Sequence, residues 1–191
     1  MVTRIDPRSI LRFLWSGWAL LWLLGAAWSA RTIARESSVS RLTYTALMGI
    51  GAALLFFGWE FGPLTGRLFP WTEPIAWLGV ALTVVGLGFT VWARVQIGRN
   101  WSGSVTLKEG HELIRSGPYA VTRHPIYTGL IFAMIGTALT LDRLAAVPGL
   151  VLVTAGIVAK VRSEERLLLS HFGDAYQTYR AQVPALIPRP W

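Results

Sequence analysis

The sequence predicts an all-α integral membrane protein: five transmembrane helices, the last two forming a C-terminal helical hairpin, then an amphipathic C-terminal helix. Three observations predict it. Long uncharged apolar runs recur along the 191 residues, and about 20 apolar residues are what a helix needs to cross a bilayer. Only 15% of residues are charged and 53% are hydrophobic, whereas an average soluble domain carries about 25% charge. Ten tryptophans are present, several at the ends of apolar runs (Trp15, Trp59, Trp71, Trp101), where an amphipathic ring suits the headgroup layer.

The first apolar run, Phe13 to Ala30, follows Arg4, Arg8 and Arg12. Small residues near Ala26–Ala30 resemble a signal-peptide end, but the run is longer than a usual apolar signal segment and further runs follow, so it reads as helix 1. A second run extends from Leu42 to Trp59, with Glu60 at its edge. Gly62, Pro63, Gly66, Pro70 and Pro74 make Phe61–Pro74 a loop. The third run, Ile75 to Val95, holds no charge before Arg94, and Gly79, Thr83 and Gly86 recur there at helical spacing. Small residues in that pattern permit close helix packing in lipid. Glu60 and Arg94, at helix ends, read as interfacial.

The apolar pattern stops between Gln96 and Pro125, and Ile126–Leu141 and Leu144–Ala159 follow with only Asp142 and Arg143 between them. Each is near the lower limit for a span, and a tight hairpin is the natural reading. The chain then turns polar, with Leu168, Phe172, Tyr176 and Tyr179 on one helical face. Pro184, Pro188 and Pro190 end that helix. The organisation is therefore residues 1–95, the N-terminal helices, and 96–191, the core that carries the chemistry. With five spans and the 96–125 loop in the cytoplasm, only Arg4, Arg8, Arg12, Arg67 and Arg143 of the basic residues face the other side, in keeping with the positive-inside rule. The expected location is a bacterial-type plasma membrane, multi-pass, with the site on its cytoplasmic face.

The formal net charge of +8 comes from residues that flank apolar spans. Lipid headgroups are their simplest partner, and no basic soluble domain points to nucleic acid. With no cysteine, disulfides, thiolate metal sites and cysteine nucleophiles are excluded. Three histidines without ligand spacing do not suggest zinc.

Two polar clusters bracket the hairpin. Ser116-Gly117-Pro118-Tyr119 and Arg123-His124-Pro125-Ile126-Tyr127-Thr128-Gly129 precede it. Gly117-Pro118 signals a bend, and Pro125 suits the first turn of a helix. Arg123 and His124 then sit at the positive end of a helix dipole, which makes sense if an anion binds there or if they meet lipid phosphates. Lys160, Arg162, Glu164 and Glu165 leave the hairpin. Lys160 and Glu164 fit a surface i, i+4 ion pair. A hairpin also returns them to the face it left, beside Arg123 and His124, and ionisable groups clustered at that depth suggest a polar cavity.

The succession His111-Glu-Leu-Ile-x-x-Gly117-Pro118-Tyr119, Arg123-His124-Pro125-x-Tyr127-x-Gly129, Glu164-Glu165-x-x-Leu168-x-x-x-Phe172-Gly173-x-x-Tyr176-x-x-Tyr179 and Val183-Pro184-x-x-Ile187-Pro188 resembles the isoprenylcysteine carboxyl methyltransferase family. The resemblance covers about Gln96 to Pro188. It implies S-adenosylmethionine as cofactor, held without a Rossmann domain in a pocket at the membrane face. By motif position it implies cofactor contacts from His111, Glu112, Leu113, Ile114, Tyr119, His124, Pro125, Ile126, Tyr127 and Glu164. It implies that Lys160 faces the substrate carboxylate, where the family usually has arginine; lysine keeps the charge and loses the bidentate fork. Arg123 and Glu165 are the expected catalytic residues, Arg123 holding a carboxylate of cofactor or substrate and Glu165 taking a proton if the acceptor is an amine.

The expected reaction is methyl transfer to the carboxylate of a lipophilic, isoprenylcysteine-like substrate entering from the bilayer. Three alternatives stand beside it. The acceptor can be a lipid amine or hydroxyl. The chain can be an NADPH-dependent sterol-type reductase, a class that shares an Arg-His-Pro-x-Tyr-x-Gly block but lacks the ending seen here. It can also be a non-catalytic membrane subunit.

Overall fold

The structure, a computed structural model, describes residues 6–26, 31–58, 62–70 and 72–188. The expectations placed on Arg4, Trp59, Glu60, Trp71 and Pro190 lie outside them. The described chain is overwhelmingly helical: α1 (Pro7–Ala26), α2 (Ser38–Phe57), α3 (Glu73–Ile97), the single turn α4 (Pro118–Val121), α5 (Pro125–Leu141), α6 (Ala146–Phe172) and α7 (Asp174–Gln182). Two short strands, β1 (Thr32–Arg35) and β2 (Thr106–Lys108), pair antiparallel. This ribbon is the one departure from all-α among the described residues. Its strands are too short, and too far apart in the chain, for periodicity to announce them.

Among the described residues, four helices are long and apolar enough to cross a membrane (α1, α2, α3 extended to Asn100, and α6), and α5 is a shorter apolar helix of 17 residues. The protein is a multi-pass membrane protein. Local chemistry sets the helix ends. The Ser37 hydroxyl caps α2 by accepting from Ser40 N at 3.2 Å. Pro125 opens α5, where its missing N–H costs nothing. Asp142 ends α5 in a left-handed conformation (φ 51°), and its buried carboxylate accepts from Arg67 Nε at 2.8 Å and from the Leu68 and Phe69 N–H groups at 3.1 Å. This ties the 62–70 loop to the end of the bundle remote from the polar clusters.

Packing is pairwise. α3 lies along α5, and α2 along α6, with α5 and α6 joined by a short turn yet touching each other less. Small residues explain both pairings. A Cβ on Gly86 would lie 2.6 Å from the Gly129 carbonyl oxygen, and one on Gly79 2.5 Å from that of Gly136. Thr83 and Thr140 donate across the same seam to the Ala133 and Ala76 carbonyls at 3.2 and 3.1 Å. On the other seam, a Cβ on Gly51 would lie 2.7 Å from the Gly149 oxygen. Backbones this close gain dispersion that lipid cannot supply. Gly86→Leu is expected to cost about 1–3 kcal/mol through overpacking. Thermal unfolding in detergent would show it, with Gly88→Leu, where nothing lies within 4 Å, as the near-neutral comparison.

Helix α1 is the least buried span. It is held by two indoles: Trp15 Nε1 donates to Thr137 Oγ1 at 2.9 Å and Trp18 Nε1 to Thr90 Oγ1 at 2.7 Å. Trp15 also meets the Phe56 ring edge-on. Trp15 is thus a packing residue, not the headgroup anchor expected, because its N–H finds a partner inside the bundle. Arg94, in the last turn of α3, is also buried in the protein. Its guanidinium donates to the Gly98 and Gly25 carbonyls at 2.8 and 2.5 Å and lies 4.6 Å from the Trp101 ring centre.

The amphipathic C-terminal stretch divides differently from expectation. α6 runs unbroken through Lys160–Glu165 to Phe172, and Gly173 (φ 52°) then turns the chain before α7. Glycine is the residue that takes this conformation without strain. Leu168 and Phe172 therefore lie on α6, and the buried Tyr176 and Tyr179 on α7.

Candidate functional site

The polar clusters meet at one end of the bundle. Gly117 (φ 60°) bends the chain into α4, whose Tyr119 is buried and whose backbone carbonyl accepts from Tyr179 OH at 2.6 Å. Thr122 and Arg123 lead into α5. There the Arg123 and His124 N–H groups donate to the Pro184 and Ala185 carbonyls at 2.9 and 3.1 Å. Thr128 Oγ1 adds a bond to the Leu186 carbonyl at 2.7 Å. The segment after α7 is thereby strapped across the start of α5.

The charges interlock. Arg123 donates twice to Glu165 Oε1, from Nε at 2.8 Å and from an Nη at 2.5 Å, and reaches the carbonyls of Arg180 and Val183 with the other Nη. The buried His124 ring lies between two carboxylates, Nδ1 at 3.3 Å from Glu164 Oε2 and Nε2 at 3.3 Å from Glu165 Oε1. Tyr127 OH donates to Glu164 Oε1 at 2.5 Å. The two cations at the α5 N-terminus thus have their anions in α6, which offsets the unfavourable helix dipole.

Burial disfavours the His124 imidazolium, but hydrogen bonds and charge from Glu164 and Glu165 outweigh it and raise its pKa above the ordinary value. A raised folded pKa means the stabilisation is complete below the unfolded value, about 6.5. It is lost as pH climbs through the folded value. The melting temperature is therefore expected to fall as pH rises through the raised His124 pKa, and His124→Gln to flatten that dependence. A thermal-shift series in detergent measures both.

A cavity of about 280 Å³ opens beside these groups. His111, Tyr119, Arg123, His124, Pro125, Ile126, Tyr127, Lys160 and Glu164 all line it. Of the residues expected from sequence, Glu112, Leu113, Ile114 and Glu165 do not. Glu112 is exposed, with its carbonyl 3.4 Å from Asn100 Nδ2, and Glu165 faces the far side of α6. Lys160 is buried and makes no surface pair with Glu164. Its ammonium donates to the Gly103 carbonyl at 2.7 Å and sits 5.2 and 5.4 Å from the Tyr44 and Tyr127 ring centres.

Several lining residues were not singled out from sequence. Trp18 and Trp22, one helical turn apart on α1, stack on each other and wall the cavity with Met48 and Leu130. The Trp101–Thr106 segment covers it. Glu36 fixes that segment, since Val105 N donates to its carboxylate at 3.2 Å and its own N–H donates to the Val105 carbonyl at 3.1 Å. Trp101 meets Trp22 edge-on and belongs to this cover, not to a headgroup belt. The i, i+4 spacing of Trp18 and Trp22 was the available signal; the cover left none, because it is assembled by long-range contacts.

The fold and this site define a multi-pass membrane protein with an aromatic and charged pocket at one end of its helices. Residues 78–170 match the isoprenylcysteine carboxyl methyltransferase (ICMT) family, so the resemblance read from the motifs holds over that segment. The chain is 36% identical over 99 residues to a protein-S-isoprenylcysteine O-methyltransferase of Schizosaccharomyces pombe, covering 50% of this chain and 42% of that protein. It is 29% identical over 166 residues to methanethiol S-methyltransferase of Mycobacterium tuberculosis, covering 80% of this chain and 65% of that one. The solved structure of the eukaryotic intramembrane Ras methyltransferase ICMT superposes with a TM-score of 0.56 at 26% identity, over 76% of this chain and 52% of that one. The chain thus spans about half the length of the isoprenylcysteine methyltransferases it matches here.

Proposed function

We propose that this protein transfers a methyl group from S-adenosylmethionine to the carboxylate of a lipophilic, isoprenylcysteine-like acceptor at the membrane face. The observation that carries the reading is one cavity in which Glu164, Lys160 and the rings of Tyr119, Tyr127 and Trp101 converge, all five from the segment that matches the family. The donor set suits the cofactor: Glu164 for an ammonium group, His111 and the aromatic faces for adenine and sulfonium. When bound, S-adenosylmethionine supplies an electrophilic methyl group. A carboxylate acceptor is already ionised at neutral pH and needs no general base. The protein's part is then to position the reactants and exclude water, and the Trp101–Thr106 cover serves the second need.

Arg123 and Glu165 take a positioning role in this proposal, because the Arg123 guanidinium is committed to Glu165 and to backbone carbonyls. Lys160 is the cavity cation best placed to attract an acceptor anion, by exchanging its bond to Gly103 for one to the carboxylate. Lys160→Ala is expected to raise the acceptor KM about tenfold, from loss of a charge-assisted contact, with cofactor affinity little changed. Steady-state kinetics beside a cofactor titration would test the split, and the reverse pattern would refute the assignment. We further propose five crossings with α5 and α6 as a hairpin, a division into residues 1–95 and 96–191, and a site facing the cytoplasm of a bacterial-type cell.

A second reading is methylation of a small thiol. It is favoured by the relative whose match covers 80% of this chain and by a cavity of about 280 Å³, just below the usual ligand-site range of about 300–1,000 Å³. Purified protein, radiolabelled S-adenosylmethionine and a choice of acetyl-farnesylcysteine or methanethiol decide between them. Label on the prenylcysteine ester supports the first reading; label on the thiol alone replaces it with the second.

A further inference from the structure

On the opposite side of α6 from the cavity lies an open groove of about 680 Å³, between the first turns of α2 and the second half of α6, with α7 at its rim. Arg162, Arg166 and Arg180 line it, together with the hydroxyls of Ser37, Ser40, Thr43 and Ser163. All three arginines are exposed. Arg166 donates to Ser163 Oγ at 3.1 Å, and among the described residues neither it nor Arg162 lies against a carboxylate.

The carboxylate in the groove is Glu165. Its Oε1 is taken by Arg123 and His124, and its Oε2 stands 3.7 Å from Arg180 Nε. The buried Arg123 offsets its charge, so the groove keeps an excess of positive charge.

Exposed aliphatic side chains accompany these polar groups. Val39 lines the groove and is 76% exposed, and Leu42 nearby is 71% exposed; both lie on α2, a membrane-spanning helix. A groove with arginines and hydroxyls inside and bare aliphatic side chains at the start of an apolar spanning helix matches a phosphodiester attached to acyl chains. Arginine forks suit phosphate oxygens, and basic pockets between helices on one membrane face are where anionic headgroups bind.

We propose that this groove is a binding site for the phosphate of an anionic phospholipid. It is separate from the cavity and independent of the methyl-transfer reading. Binding there draws Arg180 towards the phosphate and bears, through Glu165, on the Arg123–His124 network.

The test uses the full chain in nanodiscs of phosphatidylcholine with a small fraction of phosphatidylglycerol, and reads retained phosphatidylglycerol by native mass spectrometry after extraction. The wild-type protein is expected to retain it selectively over phosphatidylcholine. The Arg162→Gln/Arg166→Gln variant is expected to retain at least about tenfold less. Millimolar inorganic phosphate is expected not to displace it, since the acyl chains contribute. Equal retention by the variant overturns the proposal, and displacement by inorganic phosphate reassigns the groove to a free anion. A photoreactive phosphatidylglycerol supplies a readout on the wild-type chain alone. Crosslinks at Val39–Thr43 support the site, and crosslinks confined to other segments overturn it even if the variant does not fold.

Discussion

Glu164→Gln is expected to weaken binding of S-adenosylhomocysteine about 100-fold, the loss of a charge-assisted contact worth roughly 2–3 kcal/mol. Glu164 joins the two halves of the site. One oxygen accepts from Tyr127 and the other faces His124, and its carboxylate borders the cavity. Glutamine keeps the shape and removes the charge, leaving His124 with one carboxylate neighbour instead of two. Calorimetric titration of detergent-solubilised protein would give the affinity, with thermal unfolding to show that the fold persists. An unchanged affinity would remove Glu164 from the cofactor site.

The second large effect is on stability. The Arg123 and Glu165 side chains are 7% and 13% exposed, so this ion pair is close to buried. Breaking such a pair by removing one partner costs about 3–5 kcal/mol, because the remaining charge stays desolvated. Arg123→Met is expected to show that loss in denaturant unfolding, and to make the segment after α7 more accessible to protease, since Arg123 also holds the Arg180 and Val183 carbonyls. Replacing both partners removes the stranded charge, so Arg123→Met/Glu165→Met should recover part of the stability. A single variant as stable as wild type would mean that the pair does not clamp the C-terminal segment.

The membrane helices were legible because hydropathy and length are local properties. Gly79, Thr83 and Gly86 announced their seam because spacing alone sets a helix face. The structure does place His124 between Glu164 and Glu165, the nearness expected from the short break at Asp142–Arg143 between two apolar runs. What could not be read depends on partners far along the chain. The Lys160 bond to Gly103, the ribbon of Thr32–Arg35 with Thr106–Lys108, and the burial of Arg94 against the Gly25 carbonyl have no periodic signature. Arg123 shows the same limit. Its charge and motif position pointed to ligand contact, but only the structure reveals how fully Glu165 and the backbone carbonyls occupy it.

The most direct test of the central claim, that the Glu164–Lys160 cavity is a methyl-donor site, is a paired titration of the purified chain with S-adenosylhomocysteine and with NADPH. Saturable S-adenosylhomocysteine binding that Glu164→Gln weakens about 100-fold is expected, with no binding of NADPH. Binding of NADPH alone, or of neither ligand, would contradict it.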